Sequence, residues 1–222
     1  MTLPFPDRQA AGQLLGARLR RDLDRGADGD LPAVVLALPR GGVAVAYEVA
    51  RALDVPLDVL VTRKIGYPRQ PELGVGAIAE GTEPVYDGRL LRKLGLRPGD
   101  LSEVATRERA ELARRVRVYR GGRPPPDVAG FLVVLVDDGL ATGVTARAAL
   151  RGLRAAGAGR TVLAVPVAPA ASIGEMASEA DEVVTLAAPG DFRSVGEWYT
   201  SFDQLTDDDV LALLAHAHGL RG

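Results

Sequence analysis

The stretch from Val133 to Thr145, VVLVDDGLATGVT, runs from four apolar residues into two carboxylates and then into a loop of small residues. A continuous Val/Leu run bounded by turn residues is typical of a strand that is buried on both faces of a parallel sheet. Gly139, Thr142 and Gly143 then lead into a helix that we expect from about Val144 to Ala156. Ligands of open α/β sheets collect at the carboxyl ends of such strands, so this segment predicts both the fold class and a binding site.

The loop after this strand suits an anion. Backbone N–H groups of the loop and of the first helical turn have no partner within the helix, and the helix dipole adds partial positive charge beside them. Asp137 and Asp138 would repel a phosphate group, so a sugar diol or a Mg²⁺ ion bridging to the ligand is the better partner for these carboxylates. The alternative is an Asp pair that only caps the helix, but a cap explains one Asp and one Gly and not the thirteen-residue order.

The order of an apolar run, Asp-Asp, three residues, Thr-Gly and Thr resembles the phosphoribosyl-pyrophosphate motif of the type I phosphoribosyltransferases. In that family the acidic pair holds the ribose 2′- and 3′-hydroxyls and the loop holds the 5′-phosphate. The resemblance therefore assigns Asp137 and Asp138 to the ribose. It assigns the following residues to the 5′-phosphate: Ala141, Thr142, Gly143, Val144 and Thr145.

A second strand, expected from Ala33 to Leu38, ends in Pro39-Arg40-Gly41-Gly42 and precedes a helix from about Val43 to Leu53. Two glycines let the backbone approach an anion, and Arg40 offers a forked cation suited to phosphate oxygens. This loop resembles the pyrophosphate-binding loop of the same family, which implies that Arg40, Gly41 and Gly42 bind pyrophosphate. Related loops carry a non-proline cis peptide bond, for which Arg40–Gly41 is the candidate.

The next predicted strand, Leu57 to Thr62, delivers Arg63 and Lys64 to the same end of the sheet. The pair resembles basic residues that family members place over the pyrophosphate, and this resemblance adds Lys64 to the pyrophosphate site; solvated charge at a strand end is the alternative. The segment from Gly66 to Gly74 is rich in turn residues and long for a simple connection. We expect it to be a mobile lid that excludes water from the reacting centre.

A β-hairpin is predicted next, from Val75 to Glu80 and from Pro84 to Tyr86. Residues 88–126 then form an inserted basic helical segment, in which Arg89 to Arg123 contain eleven Lys or Arg residues against four acids. Asp100 or Ser102 is expected to cap its main helix. A solvated basic face is the simplest reading of this excess; steering of a polyanionic substrate and contact with RNA are the alternatives.

The remaining pattern alternates strands and helices. Strands are expected from Thr161 to Val167 and from Glu182 to Leu186, with a helix near Ser172 to Ala180 between them. An amphipathic helix from Phe5 to Leu23 covers the sheet. Together these elements predict one α/β domain over residues 1–222, with a doubly wound, mostly parallel sheet flanked by helices, which is also the fold that the resemblance implies.

The tail, residues 188–222, departs from this alternation and concentrates aromatic residues. By resemblance it is a small C-terminal hood that binds the base, with Phe192, Trp198 and Tyr199 as the candidates to wall a flat ring; core packing is the default explanation for each of them alone. Thr206 is expected to cap a final helix. His216 and His218 lie on that helix and receive no chemical role.

Composition excludes several classes of protein. The chain has 222 residues, 47% hydrophobic and 25% charged, with a net charge of −2, which describes a globular protein and not one that coats nucleic acid over its whole surface. It has no cysteine and two histidines, so disulfides, thiolate nucleophiles and Cys/His zinc sites are excluded. The N-terminal residues lack the pattern of a secretory signal, and we expect a cytoplasmic protein.

The resemblance implies a Mg²⁺-dependent enzyme that transfers a 5-phosphoribosyl group from phosphoribosyl pyrophosphate to a nitrogenous base, with Arg40, Lys64 and Asp138 as its catalytic residues and a homodimer as its usual state. Ala141 occupies the position where oxopurine enzymes carry an Asp, which disfavours hypoxanthine and guanine. Over nearly its full length the chain is most similar to bacterial stand-alone phosphoribosyltransferase-like proteins of unsettled substrate. The alternative function is a sensor of phosphoribosyl pyrophosphate that contacts RNA through its Arg-rich helix.

Overall fold

A computed structural model describes residues 3–23 and 31–219. The described residues form eight strands and seven α-helices in the order α1 (Arg8–Leu23), β1 (Ala33–Ala37), α2 (Gly41–Leu53), β2 (Leu57–Val59), β3 (Thr62–Tyr67), β4 (Gln70–Ala79), β5 (Val85–Tyr86), α3 (Gly88–Leu94), α4 (Ser102–Arg120), β6 (Leu132–Val136), α5 (Val144–Ala155), β7 (Arg160–Val167), α6 (Ala170–Met176), β8 (Glu182–Ala187) and α7 (Asp207–Gly219). Short 3-10 turns at Pro98–Leu101 and Val195–Trp198 complete them.

The main sheet confirms the predicted α/β class. Its five strands are all parallel and lie in the order β2-β1-β6-β7-β8. The central strand β6 is buried along its whole length, with Val133 and Leu135 in the hydrophobic core on one face and Val134 and Val136 in the core on the other. A strand enclosed on both faces has no position for a polar side chain, which explains its uninterrupted apolar run.

The prediction of one strand from Leu57 to Thr62 is wrong, because these residues belong to two strands in two different sheets. The chain leaves the main sheet after Val59 and enters a separate antiparallel sheet at Thr62, in the order β3-β4-β5. The predicted pairing of the hairpin is confirmed, since Ala77 lies opposite Val85. This second sheet packs its small residues Ala77 and Ala79 against Val144 and Ala148 at the start of α5.

The segment from Gly66 to Gly74 is a β-hairpin and not the loop predicted there. Strands β3 and β4 pair antiparallel around a turn at Pro68 and Arg69, with register shifts between Ile65 and Tyr67. Backbone pairing satisfies the amide groups of this turn-rich sequence and removes the need for a long connection. A lid at this place would therefore be a moving hairpin.

Helix α4 carries the predicted basic segment, but its charges are largely paired. Ion pairs join Arg63 to Glu108, and Glu111 to Arg114 and Arg115. Arg120 is buried, pairs with Glu80 and donates to the backbone oxygen of Val59 at 2.8 Å. The expected cap is wrong, because α4 follows Leu101 without a side-chain cap, and the Asp100 carboxylate accepts from the Arg97 amide instead.

Both ends of the described chain meet on one side of the main sheet. Helix α1 begins at Arg8, three residues after the expected start, since Phe5 is drawn into a bridge with Tyr199 of the tail. The final helix α7 has the predicted cap, because the Thr206 hydroxyl accepts from the Asp209 amide at 3.1 Å. His216 and His218 are exposed on it, as expected.

Candidate active site

The two Gly-containing loops predicted from sequence lie side by side. Strands β1 and β6 are neighbours whose last residues, Ala37 and Val136, are paired, so the chain leaves both strands at the same level. The Leu38 amide still donates to the Val136 oxygen at 2.9 Å beyond that pair. Helices α2 and α5 begin after these loops and direct their N-termini to the same edge of the sheet. The edge therefore combines two helix N-termini of the kind that can bind an anion.

Glycine is required where the loops touch. A Cβ atom at Gly41 would lie 1.9 Å from Asp138 Oδ2, and a Cβ atom at Gly42 would lie 2.8 Å from the Val136 oxygen and 2.9 Å from Asp137 Cα. Contacts this short are not tolerated by real side chains. The Pro-Arg-Gly-Gly loop is thus seated directly against the Asp pair, and its glycines make that approach possible.

The Asp pair is enclosed by the fold. The amide of Asp138 donates to Asp137 Oδ1 at 2.9 Å, and Arg8 Nε donates to Asp138 Oδ2 at 2.8 Å. Burial raises the pKa of both carboxyl groups; the Asp138 charge raises the pKa of Asp137 further, whereas Arg8 opposes the rise for Asp138. Hydroxyl donors from a bound diol would restore solvation that these carboxylates lose on folding.

A cavity of about 510 Å³ opens over the Asp138 side of this edge. Arg40 and Gly41 from the second loop line it together with Asp138. The other lining residues are Arg8, Arg63, Arg115, Phe202, Gln204 and Leu205. Four guanidinium groups and one carboxylate thus line one space. Arg63 and Arg115 are already paired with Glu108 and Glu111. The only carboxylate partner of Arg40 among the described residues, Asp207, lies 4.0 Å away, so Arg40 is the cation most available to an anionic ligand.

The two predicted basic residues of β3 separate. Arg63 lines both the cavity with Arg40 and Asp138 and an adjacent cavity of about 330 Å³, while Lys64 lines only the adjacent one, where its ammonium donates to the Glu72 backbone oxygen at 3.0 Å. Successive side chains of a strand point to opposite faces, which accounts for the divergence. In this arrangement Arg63, and not Lys64, accompanies Arg40.

The loop predicted to bind the 5′-phosphate is open at its tip. Ala141 and Thr142 are exposed, and Gly143 has a φ of 68°, a left-handed conformation that favours glycine. Ser172 on α6 donates to the Ala141 oxygen at 2.6 Å and holds the loop from behind. The loop can therefore present backbone N–H groups outward without a change in its anchor.

The cis peptide bond of the Pro-Arg-Gly-Gly loop is Pro39–Arg40, one bond earlier than the predicted Arg40–Gly41. Arg40–Gly41 is trans, and the Arg40 oxygen accepts from the Val43 amide at 3.1 Å in the first turn of α2.

The three aromatic residues predicted to bind a base pack against one another, against Phe5 and against the ends of β7 and β8. Phe192 and Trp198 stack with their ring centroids 6.3 Å apart, and Tyr199 is buried against Phe5. The Tyr199 hydroxyl donates to the Asp138 backbone oxygen at 2.5 Å. None of the three lines the 510 Å³ cavity, whereas Phe202 does.

Sequence reasoning missed Arg8, Arg115, Gln204 and Leu205 as residues of this cavity. Arg8 is 130 positions from Asp138. No local motif marks such a contact; the only available signal was an Arg at the start of a helix predicted to cover the sheet. Arg115 was hidden among the other arginines of its helix.

A protein-made metal centre is not found in the part of the chain that the structure describes, where no three His, Cys, Asp or Glu side chains come together in a suitable cluster. Asp137 and Asp138 supply the hard oxygen donors that Mg²⁺ prefers. They fit a Mg²⁺ ion held mainly by its ligand's phosphate oxygens.

No helix among residues 3–23 and 31–219 is long and apolar enough to cross a membrane.

Residues 9–197 match the family model described as the phosphoribosyl transferase domain. This match contains both loops and the Asp pair. The chain belongs to the phosphoribosyl transferase domain family. The family assignment agrees with the resemblance first seen in the segment from Val133 to Thr145.

Two curated relatives come from Mycobacterium tuberculosis, Rv0571c of strain H37Rv and MT0597 of strain CDC 1551, both provisionally named phosphoribosyl transferases. Each is 45% identical over 214 residues, which is 96% of this chain and 47% of the relative. The chain thus spans about half the length of these relatives. The crystal structure of TT1426 from Thermus thermophilus has a TM-score of 0.76 and 43% identity, covering 96% of this chain and 98% of that one.

Proposed function

We propose that this phosphoribosyl transferase domain transfers a 5-phosphoribosyl group from phosphoribosyl pyrophosphate to a nitrogenous base or similar acceptor, with release of pyrophosphate and with Mg²⁺ as cofactor. The observation that carries the proposal is the contact between the two loops, in which Gly41 and Gly42 lie against Asp138 and Asp137. A donor with a ribose between a 5′-phosphate and a pyrophosphate needs these sites at one place.

The charges of the cavity match the demands of this reaction. Positive charge builds on the ribose ring as the C1′–oxygen bond breaks, and negative charge builds on the departing pyrophosphate. Arg40 and Arg63 on the cavity wall would stabilise the leaving group, while Asp137 and Asp138 would orient the ribose. Mg²⁺ bound to the pyrophosphate would neutralise part of its charge.

Lys64 would bind the pyrophosphate, as expected from the sequence, only after its side chain changes conformation. Its side chain lies beside Gly74, where a Cβ atom would come within 2.9 Å of Lys64 Cδ and 3.6 Å of Val144 Cγ1. Lys64 therefore lies near Val144 at the start of α5, in the cavity next to that of Arg40. A rotation of the exposed Lys64 ammonium would be needed to reach the pyrophosphate.

The acceptor is a planar nitrogen nucleophile that is not a 6-oxopurine. Ala141 lacks the carboxylate that oxopurine enzymes use at this position. Phe202 offers the aromatic surface of the cavity, with 36% of the residue exposed. The Arg8 guanidinium lies over that ring at 3.8 Å and Tyr199 stacks on it with 5.0 Å between centroids, so a flat acceptor beside Asp138 would meet the edge of the Phe202 ring.

The test is release of pyrophosphate from phosphoribosyl pyrophosphate and Mg²⁺ against a broad panel of bases. Turnover with any base supports the enzyme. If calorimetry shows that the donor binds but no acceptor yields pyrophosphate, the protein is a sensor. Arg114 and Arg115 pair with Glu111, which reduces the positive charge that such a sensor could offer to RNA.

Thr142→Ala is expected to raise the KM for phosphoribosyl pyrophosphate about three- to tenfold, the effect of losing one hydrogen bond to a phosphate. The exposed Thr142 hydroxyl has no role in packing, so stability should not change. Thr106→Ala on α4, whose exposed hydroxyl donates to the Ser102 oxygen, is the matched control. An unchanged KM in Thr142→Ala would mean that this side chain does not touch the donor.

A further inference from the structure

The Arg8 guanidinium joins three parts of the chain at the Asp138 carboxylate. Nε donates to Asp138 Oδ2 at 2.8 Å, and Nη1 donates to the backbone oxygen of Asp203 at 2.7 Å. The guanidinium carbon lies 3.8 Å from the centre of the Phe202 ring, in the geometry of a cation–π contact. One side chain from the first turn of α1 thus connects the tail to the loop after β6.

The environment of this ion pair restricts its motion. The side chains of Arg8 and Asp138 are 11% and 15% exposed. Phe202 stacks on Tyr199 with 5.0 Å between ring centroids, and Tyr199 in turn holds the Asp138 backbone oxygen. The tail therefore fixes the backbone of Asp138 while Arg8 fixes its carboxylate. The other cations on the cavity wall, Arg40, Arg63 and Arg115, belong to other elements.

The contact with Arg8 leaves the second carboxylate oxygen of Asp138 for a ligand. Arg8 occupies Asp138 Oδ2, and the Asp138 amide occupies Asp137 Oδ1. Within residues 3–23 and 31–219 no N–H or hydroxyl group of another residue donates to Asp137 Oδ2 or Asp138 Oδ1. Asp138 lines the cavity, so its Oδ1 can accept from a hydroxyl group of a ribose 2′,3′-diol.

We propose that Arg8 is a positioning residue for ribose recognition: it holds Asp138 so that Oδ1 is free to accept from the diol. This inference rests on the proposed function, because it assumes that the Asp pair binds a ribose. A guanidinium can donate to Asp138 and Asp203 and stack on Phe202 at once. A lysine ammonium, which is a point charge, can make the first contact without the planar stack.

The experiment compares two sugars that differ at one hydroxyl of the diol. Calorimetry measures the affinities of ribose 5-phosphate and 2-deoxyribose 5-phosphate, in buffer without divalent cations, for wild type, Arg8→Gln and Arg8→Lys. Wild type should prefer the ribose compound. Arg8→Gln should lower the affinity for ribose 5-phosphate about tenfold and change that for the deoxy compound little, so the preference disappears. Arg8→Lys should keep part of it.

Arg21→Gln is the matched control, since Arg21 is exposed on the same helix and should keep the wild-type preference. If Arg8→Gln keeps that preference, or weakens both sugars equally, the positioning role is overturned. Arg8→Lys supplies the same measurement should Arg8→Gln fail to fold. If the wild-type protein binds neither sugar, the proposed function is overturned and the inference fails with it. This outcome differs from the one that overturns the inference alone, in which the wild type binds and the Arg8 variants keep its preference.

Discussion

Asp138→Asn is expected to lower both the affinity for phosphoribosyl pyrophosphate and kcat/KM by about 10- to 100-fold. A hydrogen bond to a charged group contributes roughly 1.5–3 kcal/mol, and each 1.4 kcal/mol corresponds to about a factor of ten. The amide also loses the full charge that Arg8 pairs with, so the orientation of the side chain is less well fixed. Calorimetry with the donor and an assay of pyrophosphate release measure the two losses.

The fold should survive this substitution. Burial raises the pKa of Asp138, which means that the ionised carboxylate costs folding free energy at neutral pH. Removing that charge offsets the lost pairing with Arg8, and we expect a melting temperature close to wild type. Asp208→Asn, at an exposed position on α7, is the matched control. Wild-type turnover in Asp138→Asn would show that the Asp138 carboxylate is not needed to bind the ribose.

The main sheet was predictable because its strands are enclosed. Strands such as β1 and β6 have helices on both faces, so their sequences are apolar without interruption, and β7 is apolar from Val162 onwards. The second sheet was predicted only in part, because its β4–β5 hairpin was expected but β3 was not separated from β2. Apart from Asp58, residues 57–61 are apolar, and nothing local indicates that Leu60 and Val61 carry the chain from one sheet to the other.

The position of the candidate site was predictable where its residues are adjacent in sequence, and their roles stay predictions. The segment from Asp137 to Thr145 and the Pro-Arg-Gly-Gly loop each bring their own functional groups, and the parallel pairing of β1 and β6 places them together. Arg8 and Phe202 reach the same cavity from the two ends of the chain, and only tertiary packing brings them there. The separation of Lys64 from Arg63 was foreseeable, because neighbours on a strand alternate between its faces.

The aromatic tail shows a further limit of sequence patterns. Clustering of Phe192, Trp198 and Tyr199 indicated a flat-ring site, yet these rings cover Phe5 and the end of the sheet. An aromatic side chain can bury a large apolar area in either setting, so its presence does not distinguish a core from a binding wall. The hydroxyl of Tyr199 still serves the site indirectly, through the backbone of Asp138.

Gly41→Ala is expected to reduce activity by about 100-fold, a loss typical of a reacting group displaced by about 1 Å. The new Cβ atom would lie 1.9 Å from Asp138 Oδ2 and 3.1 Å from Arg8 Nε, so the carboxylate must move and its pairing with Arg8 must break. Gly41 has helical backbone geometry as the first residue of α2, and alanine is acceptable there in every other respect.

Gly88→Ala isolates this steric effect, because Gly88 is also the first residue of a helix, and its Cβ atom would meet only Arg92 Nη1 at 3.6 Å. We expect Gly88→Ala to keep wild-type kinetics with equal or slightly higher stability. Binding of ribose 5-phosphate by calorimetry and thermal unfolding of both variants distinguish the cases. Normal affinity in Gly41→Ala would show that the contact between the two loops is dispensable, and the proposed donor site would lose its main support.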